Sequence, residues 1–277
     1  HRCFFMQLSV LKLLLQAKPI QAAAQRCRNL RSMRQAHKKS TQIYDLENEP
    51  GHVLILPNVS GITSISVVVP VYNEAKSLHS FLVYLQKINS NNIMEFLVVD
   101  GGSTDGTQAI VLAFSKKHLK FKKIDSAKGR AVQMNVGASK SIGRILYFLH
   151  ADSLPPKGFD NHILEAVGNN YKSGCFRMKF DSSHWGLKIA GWLTQFNWKS
   201  CRGGDQSLFV EKDLFYQIGG YNEAFSVYED NDLIYKLYTH SNFKVIKQWI
   251  TTSARRYNSN GVWKLQLHFG VIHFKKY

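Results

Sequence analysis

The feature that most constrains how this chain can fold is a regular alternation of short apolar runs and helical patterns across residues 65–149. The runs are rich in Val, Ile and Leu and are nearly all apolar. Such runs predict strands that are buried on both faces of a sheet. Three segments fit this description: residues 65–71, 96–99 and 145–149. Residues 120–124 are expected to form a further, shorter strand.

Helical patterns fill the gaps between these strands, at residues 75–88, 107–117 and 130–139. The first pattern places five apolar side chains on one helical face: Leu78, Phe81, Leu82, Leu85 and Ile88. Strands separated by helices at this spacing predict right-handed crossovers and an α/β fold, with a mostly parallel sheet flanked by helices. Ligands of such sheets bind where the strands end, so the polar residues after the strands are the functional candidates.

The charge of the chain is high and unevenly placed. Among 277 residues there are 36 Lys and Arg against 19 Asp and Glu, a formal charge of +17. Nine of the basic residues lie within residues 1–40, which hold no acid, so the rest of the chain has 27 basic and 19 acidic residues, or +8. A hydrophobic fraction of 44% excludes a disordered chain. No apolar run approaches 18 residues, so no membrane-spanning helix is expected.

Residues 1–62 are expected to form a basic N-terminal arm and connector before a domain at residues 63–277. Residues 6–40 are Arg-rich and acid-free, with apolar residues at helical spacing, which is typical of an organelle transit segment. This predicts a mitochondrial or plastid location, with a cytoplasmic, membrane-associated protein as the alternative. We also expect the arm to dock on an acidic partner, which would be a protein subunit, a membrane surface or RNA. A solvated basic tail is the other interpretation.

Polar residues follow three of the predicted strands, in the segments Pro70-Val71-Tyr72-Asn73-Glu74, DGGSTDGT from Asp100, and His150-Ala151-Asp152. The glycines of the second segment form neither a Walker A loop nor a G-x-G-x-x-G fingerprint. Asp100 instead ends a strand beside small residues, which are expected to leave its carboxylate accessible to a base or ribose. Asp105 is expected to cap the helix that begins at Thr107.

Four motifs together make this chain resemble the family-2 glycosyltransferases of the GT-A fold. In chain order they are VVVPVYNEA, VVDGGSTDGT, LYFLHADSLPP and GGYNEAFSVYEDNDL. The HAD triplet, the RAVQMNVGA stretch and the DQSLFV block are most similar to a bacterial-type subgroup named for its association with radical-SAM and selenium-domain genes. The resemblance implies a Rossmann-like GT-A domain that uses a nucleotide-diphosphate sugar as donor.

The resemblance also implies which residues bind the donor. The residues implied for the base and the ribose are Pro70, Tyr72, Glu74 and Asp100. Four basic residues are candidates to face the nucleotide or to clamp its diphosphate: Lys128, Arg130, Arg255 and Arg256. Guanidinium groups match phosphate oxygens in geometry and charge. Plain surface charge is the alternative for each of these four.

A D-x-D triplet in this family binds the ribose and a divalent cation, Mn2+ or Mg2+, which bridges the diphosphate. Here the triplet reads His150-Ala151-Asp152, so the second acid is kept and the first is replaced. Imidazole can bind Mn2+ or donate to a ribose hydroxyl, so His150 and Asp152 are the candidate metal ligands. A strand-end histidine with a structural role is the alternative. His268 and His273 are further candidates for the metal shell.

The E-D motif of the family implies that Glu229 and Asp230 are catalytic, with Asp230 as the base that takes the proton of the acceptor hydroxyl. The reaction would be a single inverting displacement, with the metal offsetting charge on the departing diphosphate. In the alternative interpretation, these acids only favour the positive end of a helix predicted at residues 230–238.

Residues 184–198 are rich in aromatic side chains. Trp185, Ile189, Trp192 and Phe196 recur at helical spacing, which usually indicates a core stripe. Because the acid-bearing loop at residues 203–206 follows, two other roles stay open. The stripe would then shape the acceptor pocket or lie in a membrane interface.

Two functions are therefore in competition. The leading one is a metal-assisted, inverting transferase that acts on a nucleotide sugar and an unknown hydroxyl acceptor. The alternative is a catalytically weak or inactive GT-A domain that serves as a structural subunit of a large ribonucleoprotein or membrane complex. The high charge and the altered triplet favour the alternative. The retention of Glu74, Asp100, Asp152 and Asp230 favours the enzyme, because a purely structural domain has no chemical need of them.

Overall fold

The computed structural model describes residues 64–203, 206–225, 228–255 and 257. The basic arm at residues 1–62, Arg256, His268 and His273 lie outside the described residues, so what the sequence predicts of them stays a prediction. Within the described ranges, no helix is both long and apolar enough to span a bilayer.

Strands and helices alternate through the described residues. In chain order they are β1 (Ile65–Val71), α1 (Ala75–Lys87), β2 (Ile93–Asp100), α2 (Thr107–Lys117), β3 (Phe121–Asp125), α3 (Arg130–Lys140), β4 (Ile145–Phe148), β5 (Ser153–Leu154), α4 (Phe159–Gly168), β6 (Ser173–Phe180), α5 (Trp185–Leu193), β7 (Leu208–Glu211), α6 (Lys212–Gln217), α7 (Glu229–His240) and β8 (Phe243–Thr252). A short 3-10 helix, Lys199–Cys201, follows α5.

The strands form a single sheet in the order β3-β2-β1-β4-β7-β6-β8-β5. The first four are parallel to one another, which confirms the parallel α/β sheet predicted from the sequence. Strand β7 runs antiparallel to both β4 and β6, and β5 runs antiparallel to β8. The strands of this second half were not predicted, because polar residues interrupt β6 and β8 and because β5 and β7 are very short.

Helices cover both faces of the sheet, as the nearly all-apolar strands require. Along β1, Val67 and Val69 pack into the layer that contains α1, whereas Val68 packs with Met134 of α3 on the other face. Helix α3 lies very close to the sheet, since a Cβ on Gly137 would come within 2.3 Å of Val68 Cγ1. Only glycine permits this approach, and it brings the polar residues of α3 to the ends of the strands.

A buried polar network fixes the opposite edge of the sheet. Glu95 is fully buried, and its Oε1 accepts hydrogen bonds from Ser66 Oγ at 2.8 Å and from the Ile142 N–H at 2.7 Å. Lys122 Nζ lies 2.7 Å from Glu95 Oε2. These contacts hold the chain before β4 at the amino ends of the strands. They also explain how an acid can lie within β2, which begins at Ile93 and not at residue 96 as predicted.

Candidate active site

The loops after β1 and β2 are locked together by hydrogen bonds. Asn73 has a left-handed backbone, with φ 53°, a conformation that Asn adopts more readily than most residues. Its N–H donates to Ser103 Oγ at 2.9 Å, and its Oδ1 accepts from the Thr104 N–H at 2.9 Å. The Glu74 N–H donates to Thr107 Oγ1 at 2.9 Å. Asn73 lies inside the first motif but was not predicted to be a site residue.

Asp100 is fully buried beneath its own loop. Ser103 Oγ donates to its Oδ1 at 2.5 Å, and the N–H groups of Gly102 and Ser103 each donate to its Oδ2 at 3.1 Å. The expectation of an accessible carboxylate is therefore wrong. The small residues after β2 let the chain fold back over the acid, and Gly102 does so with φ +81°.

Asp105 interacts with the start of α2, as the sequence predicts. Its Oδ1 accepts from the Thr107 N–H at 3.1 Å and from Thr107 Oγ1 at 2.6 Å, although Gly106 holds the N-cap position. The Thr107 hydroxyl is the main cause of a lowered pKa for Asp105. Its Oδ2 also accepts from the Ala75 N–H at 3.0 Å, so one carboxylate joins the first turns of α1 and α2.

Gln133 of α3 ties the ends of β1 and β2 to each other. Its buried Nε2 donates to the carbonyl oxygens of Val71 and Val99, each at 2.8 Å. Gln133 lies in the RAVQMNVGA stretch and was not predicted to be a site residue. A polar residue on the buried face of a helix is the signal that could have identified it.

Two of the other residues implied to bind the nucleotide sugar, Tyr72 and Lys128, lie together at the carboxyl ends of β1 and β2. Lys128 Nζ is 4.2 Å from the centroid of the Tyr72 ring, and the ring is partly exposed. Pro70 is buried within β1, where it pairs with Val99 of β2. Its side chain therefore belongs to the sheet, not to the surface of the site.

Glu74 and Arg255 form an ion pair. Arg255 Nη2 donates to both carboxylate oxygens of Glu74 at 2.7 Å, and Ser77 Oγ donates to Glu74 Oε2 at 2.9 Å. The hydrogen bond to Glu74 is the main cause of a raised pKa for Arg255, and the charge of Asp152 adds to it. Arg255, which the sequence analysis assigned to the diphosphate, thus occupies an acidic environment.

His150 and Asp152 follow β4. The carbonyl oxygen of Asp152 accepts from the Ser253 N–H at 3.0 Å, which joins this turn to the end of β8. Among the described residues there is no group of three or more His, Cys, Asp or Glu side chains that could hold a metal ion. His150 and Asp152 still fit a cation that is shared with a substrate, because Mg2+ commonly takes one or two protein ligands together with phosphate oxygens.

His150 and Asp230 line the same small pocket. Its other lining residues are Phe148, Gly203, Ser207, Leu208, Tyr221 and Ile234. His150 lies just after the end of β4, and Asp230 lies in the first turn of α7. The triplet and the E-D motif, 80 positions apart in the sequence, therefore border one space.

Arg130, the first residue of α3, pairs with both acids of the E-D motif. Its Nε lies 2.5 Å from Glu229 Oε1, and its Nη2 lies 3.8 Å from Asp230 Oδ2. Glu229 is fully buried, and its Oε2 has no hydrogen-bond partner among the described residues. Arg130 was expected to face the nucleotide, whereas in the structure it is the cation that the buried carboxylate of Glu229 requires.

Tyr221 and Asn135 hold the segment before α7. Asn135 Nδ2 donates to the Tyr221 carbonyl at 2.9 Å, and its Oδ1 accepts from the Tyr221 N–H at 3.0 Å. Burial raises the pKa of Tyr221 well above its ordinary value, and the charge of Asp230 raises it further. Helix α3 therefore supplies three polar side chains to the site, those of Arg130, Gln133 and Asn135.

The aromatic stripe of residues 184–198 is not a core stripe. Trp185 and Trp192 of α5 are 56% and 54% exposed, and Ile189 between them is 39% exposed. The same helix buries only Leu187 and Gly191. The helical spacing is confirmed, but the usual interpretation as a core stripe is wrong, because the helix buries Leu187 and Gly191 instead. The two other roles of the stripe stay open.

The chain is similar in sequence to known glycosyltransferases. The family model described as Glycosyl transferase family 2 matches residues 66–220. A glycosyltransferase of Mycobacterium bovis BCG that is named for PGL/p-HBAD biosynthesis is 28% identical over 204 residues, which cover 71% of this chain and 77% of that protein. Glycosyltransferase AglE of Haloferax volcanii is 36% identical over 99 residues, covering 35% of this chain and only 33% of the relative.

A solved structure shares the fold. The mannosyltransferase PcManGT of Pyrobaculum calidifontis, determined with GDP-Man and Mn2+, superposes with a TM-score of 0.57 at 18% identity, over 83% of this chain and 66% of that one. The family match covers more than half of this chain. The α/β architecture thus corresponds to a GT-A fold, and the chain belongs to glycosyltransferase family 2.

Proposed function

We propose that this protein is an inverting glycosyltransferase, which transfers a sugar from a nucleotide-diphosphate sugar to a hydroxyl group of an acceptor. The observation that carries the proposal is the pocket lined by both His150 and Asp230. His150, which is implied to bind the sugar donor, and Asp230, which is implied to be the catalytic base, thus line the same pocket. The donor class is supported by PcManGT, which was solved with GDP-Man.

The nucleotide would lie along the carboxyl ends of β1 and β2. Tyr72 is the exposed aromatic ring at this edge and offers a face to the base, with Lys128 beside it. Asp100 would act mainly by ordering the loop of residues 101–103, whose hydrogen bonds it accepts. Arg255 would release Glu74 and bind the diphosphate of the donor, because a guanidinium binds phosphate oxygens as well as carboxylates.

Asp230 would accept the proton of the acceptor hydroxyl. As that proton leaves, the hydroxyl oxygen forms a bond to the anomeric carbon of the donor sugar. The bond from this carbon to the diphosphate oxygen breaks, and the nucleoside diphosphate departs with the electron pair. Attack opposite to the leaving group inverts the configuration. Arg130 would hold the acid pair in position through its contact with Glu229.

A divalent cation would be held by Asp152 and His150, together with oxygens of the diphosphate. When bound, such a cation offsets the negative charge that develops on the leaving group. The altered triplet predicts weaker binding of Mg2+ than of Mn2+, because imidazole is a poorer ligand for hard cations.

The alternative, an inactive domain that is a structural subunit of a larger complex, rests on the high charge and on the changed first position of the triplet. Three further predictions also stay proposals. They are the similarity to the subgroup associated with radical-SAM genes, the mitochondrial or plastid location, and the docking of the basic arm on an acidic partner.

Thermal unfolding with and without UDP- and GDP-linked sugars, each with Mn2+ or with a chelator, separates these functions. A transferase is expected to unfold at a higher temperature with one nucleotide class and to release nucleoside diphosphate slowly by donor hydrolysis. If no nucleotide sugar raises the unfolding temperature or is hydrolysed, the enzyme proposal is wrong. RNA that raises the unfolding temperature while nucleotide sugars do not would favour the structural alternative.

A further inference from the structure

Helix α5 and the turn after it present a continuous aromatic surface to solvent. Ile189 and Trp192 share one exposed helical face with Lys188, at the spacing of adjacent turns. The ring of Phe196 lies 5.0 Å from that of Trp192 and 4.8 Å from that of Trp198, between centroids. We call the surface formed by residues 185–199 the tryptophan face. Isolated apolar side chains on a surface are ordinary, whereas a contiguous aromatic patch marks an interaction site.

The tryptophan face is held rigidly by a buried arginine. Arg202 is 3% exposed, and its Nη2 donates to the carbonyl oxygen of Thr194 at 2.6 Å and also to that of Phe196. Its Nη1 donates to Gln206 Oε1 at 2.7 Å. Because Nη2 binds two backbone carbonyls of this turn, the guanidinium fixes the turn in one conformation. The aromatic rings on this turn, Phe196 and Trp198, are therefore held in place by the fold.

The charge of this segment indicates what the tryptophan face binds. Residues 182–203 contain no Asp or Glu, and the lysines at 188 and 199 are both exposed. A dimer through this face would bring two acid-free, positively charged surfaces together, which is unfavourable. Tryptophan with lysine on an acid-free helix is instead the composition of segments that lie in the interface of an anionic membrane.

We propose that the tryptophan face binds the surface of an anionic phospholipid bilayer, with α5 lying parallel to it. Ile189, Trp192 and Trp198 would enter the boundary between headgroups and acyl chains. Lys188 would contact lipid phosphates. Gly203, soon after this face in the chain, lines the pocket that contains Asp230. Binding would thus bring the pocket close to the membrane, and it does not depend on whether the protein transfers sugar.

Vesicle binding by the full-length protein tests this proposal, without any nucleotide present. Co-sedimentation is measured with vesicles of phosphatidylcholine alone and with added phosphatidylglycerol. The double substitution Ile189→Ser/Trp192→Ser is expected to weaken partitioning at least about tenfold, because two large apolar side chains lose their contact with lipid. Leu119→Ser is the matched control, since Leu119 is 91% exposed in the turn before β3 and should not affect binding.

Fluorescence quenching by lipids with brominated acyl chains gives an independent measurement on the unsubstituted protein. The tryptophan emission is expected to be quenched, and the quenched share should fall in Trp192→Phe but not in Trp249→Phe. The basic arm at residues 1–40 is also able to bind anionic vesicles, but it contains no tryptophan and would not produce this quenching.

Three results would overturn the proposal. The first is the absence of quenching by brominated lipids. The second is unchanged vesicle partitioning by Ile189→Ser/Trp192→Ser, which would assign the binding to the arm. The third is equally strong binding of a soluble polyanion such as heparin that depends on Trp192, which would indicate a polymer partner instead of a bilayer.

Discussion

The two halves of the candidate site are held together by different forces. At the donor edge, the loops after β1 and β2 are joined mainly by hydrogen bonds between backbone N–H groups and the side chains of Asn73, Ser103 and Thr107. At the acid edge, the start of α7 is held by an ion pair with Arg130. A second ion pair, from Arg255 to Glu74, joins the end of β8 to the donor edge.

This difference indicates which half is preformed. Neutral hydrogen bonds within the loops do not involve groups that a substrate would need, so the donor edge can keep its shape when a ligand binds. The ion pairs, in contrast, involve Asp230 and Arg255, which in the proposed reaction would contact the acceptor hydroxyl and the diphosphate. We therefore expect donor binding to depend on the loops, and we expect catalysis to depend on the ion pairs at the acid edge.

The largest effect is expected from Asp230→Asn. Loss of the base should lower the transfer rate by about 10²- to 10⁴-fold, while the affinity for the donor stays nearly unchanged. Steady-state transfer and donor titration measure the two quantities. Asp232→Asn is the matched control, because Asp232 lies in the same helical turn and pairs with Lys236 at 3.0 Å. Equal losses in both variants would remove Asp230 from its proposed role.

Arg130→Met is expected to destabilise the fold by about 2–4 kcal/mol, because it leaves the buried carboxylate of Glu229 without a cation. Chemical denaturation measures this change. The double variant Arg130→Met/Glu229→Leu should recover most of the stability without recovering transfer, since an apolar pair replaces the ion pair. If the single variant is as stable as the wild type, the ion pair does not hold the acid edge.

Ser103→Ala removes the hydroxyl that joins Asp100 to Asn73. We expect a loss of about 1–3 kcal/mol of stability and weaker donor binding, because a buried carboxylate oxygen loses a donor. Ser115→Ala is the control, since Ser115 Oγ donates only to the Leu112 carbonyl on an exposed helix surface. A result in which Ser103→Ala resembles the control would contradict the preformed donor edge.

The smallest effect on stability is expected from Arg255→Gln. Its ion pair with Glu74 is partly exposed, so the free energy of unfolding should change by less than about 1 kcal/mol. Donor affinity should nevertheless fall about tenfold, because the diphosphate loses a charge-assisted partner. Lys172→Gln, at another exposed ion pair, should leave the affinity unchanged. Unchanged affinity in Arg255→Gln would mean that Arg255 serves only to hold Glu74.

The parallel half of the sheet was predictable because its signal is local. Except for β3, which contains Lys122 and Lys123, each strand includes a continuous apolar run, and each helix between them has a clear period, so the motifs could be placed at strand ends. The register of β7 against β4 and β6 carries no such local signal. It depends on pairing between residues that are far apart in the sequence, such as Ile145 with Glu211.

The partners of the site residues were less predictable than their positions. The sequence places Arg130 near the donor, but its partner Glu229 lies 99 positions later and is reached only through the packing of α3 and α7. The burial of Asp100 was missed because small neighbouring residues can either expose an acid or fold over it. The exposure of Trp192 was only one of the alternatives left open by the sequence, because helical spacing identifies a face without saying whether that face is buried.

Hydrogen exchange of the protein with and without a nucleotide sugar tests the central claim most directly. If the donor lies along the carboxyl ends of β1 and β2, peptides that contain residues 72–74 and 100–107 should become protected, and so should the peptide around Lys128. Protection should persist in Asp230→Asn, in which the donor still binds. If a bound nucleotide sugar leaves these loops unprotected and protects another part of the chain, the proposed site is wrong.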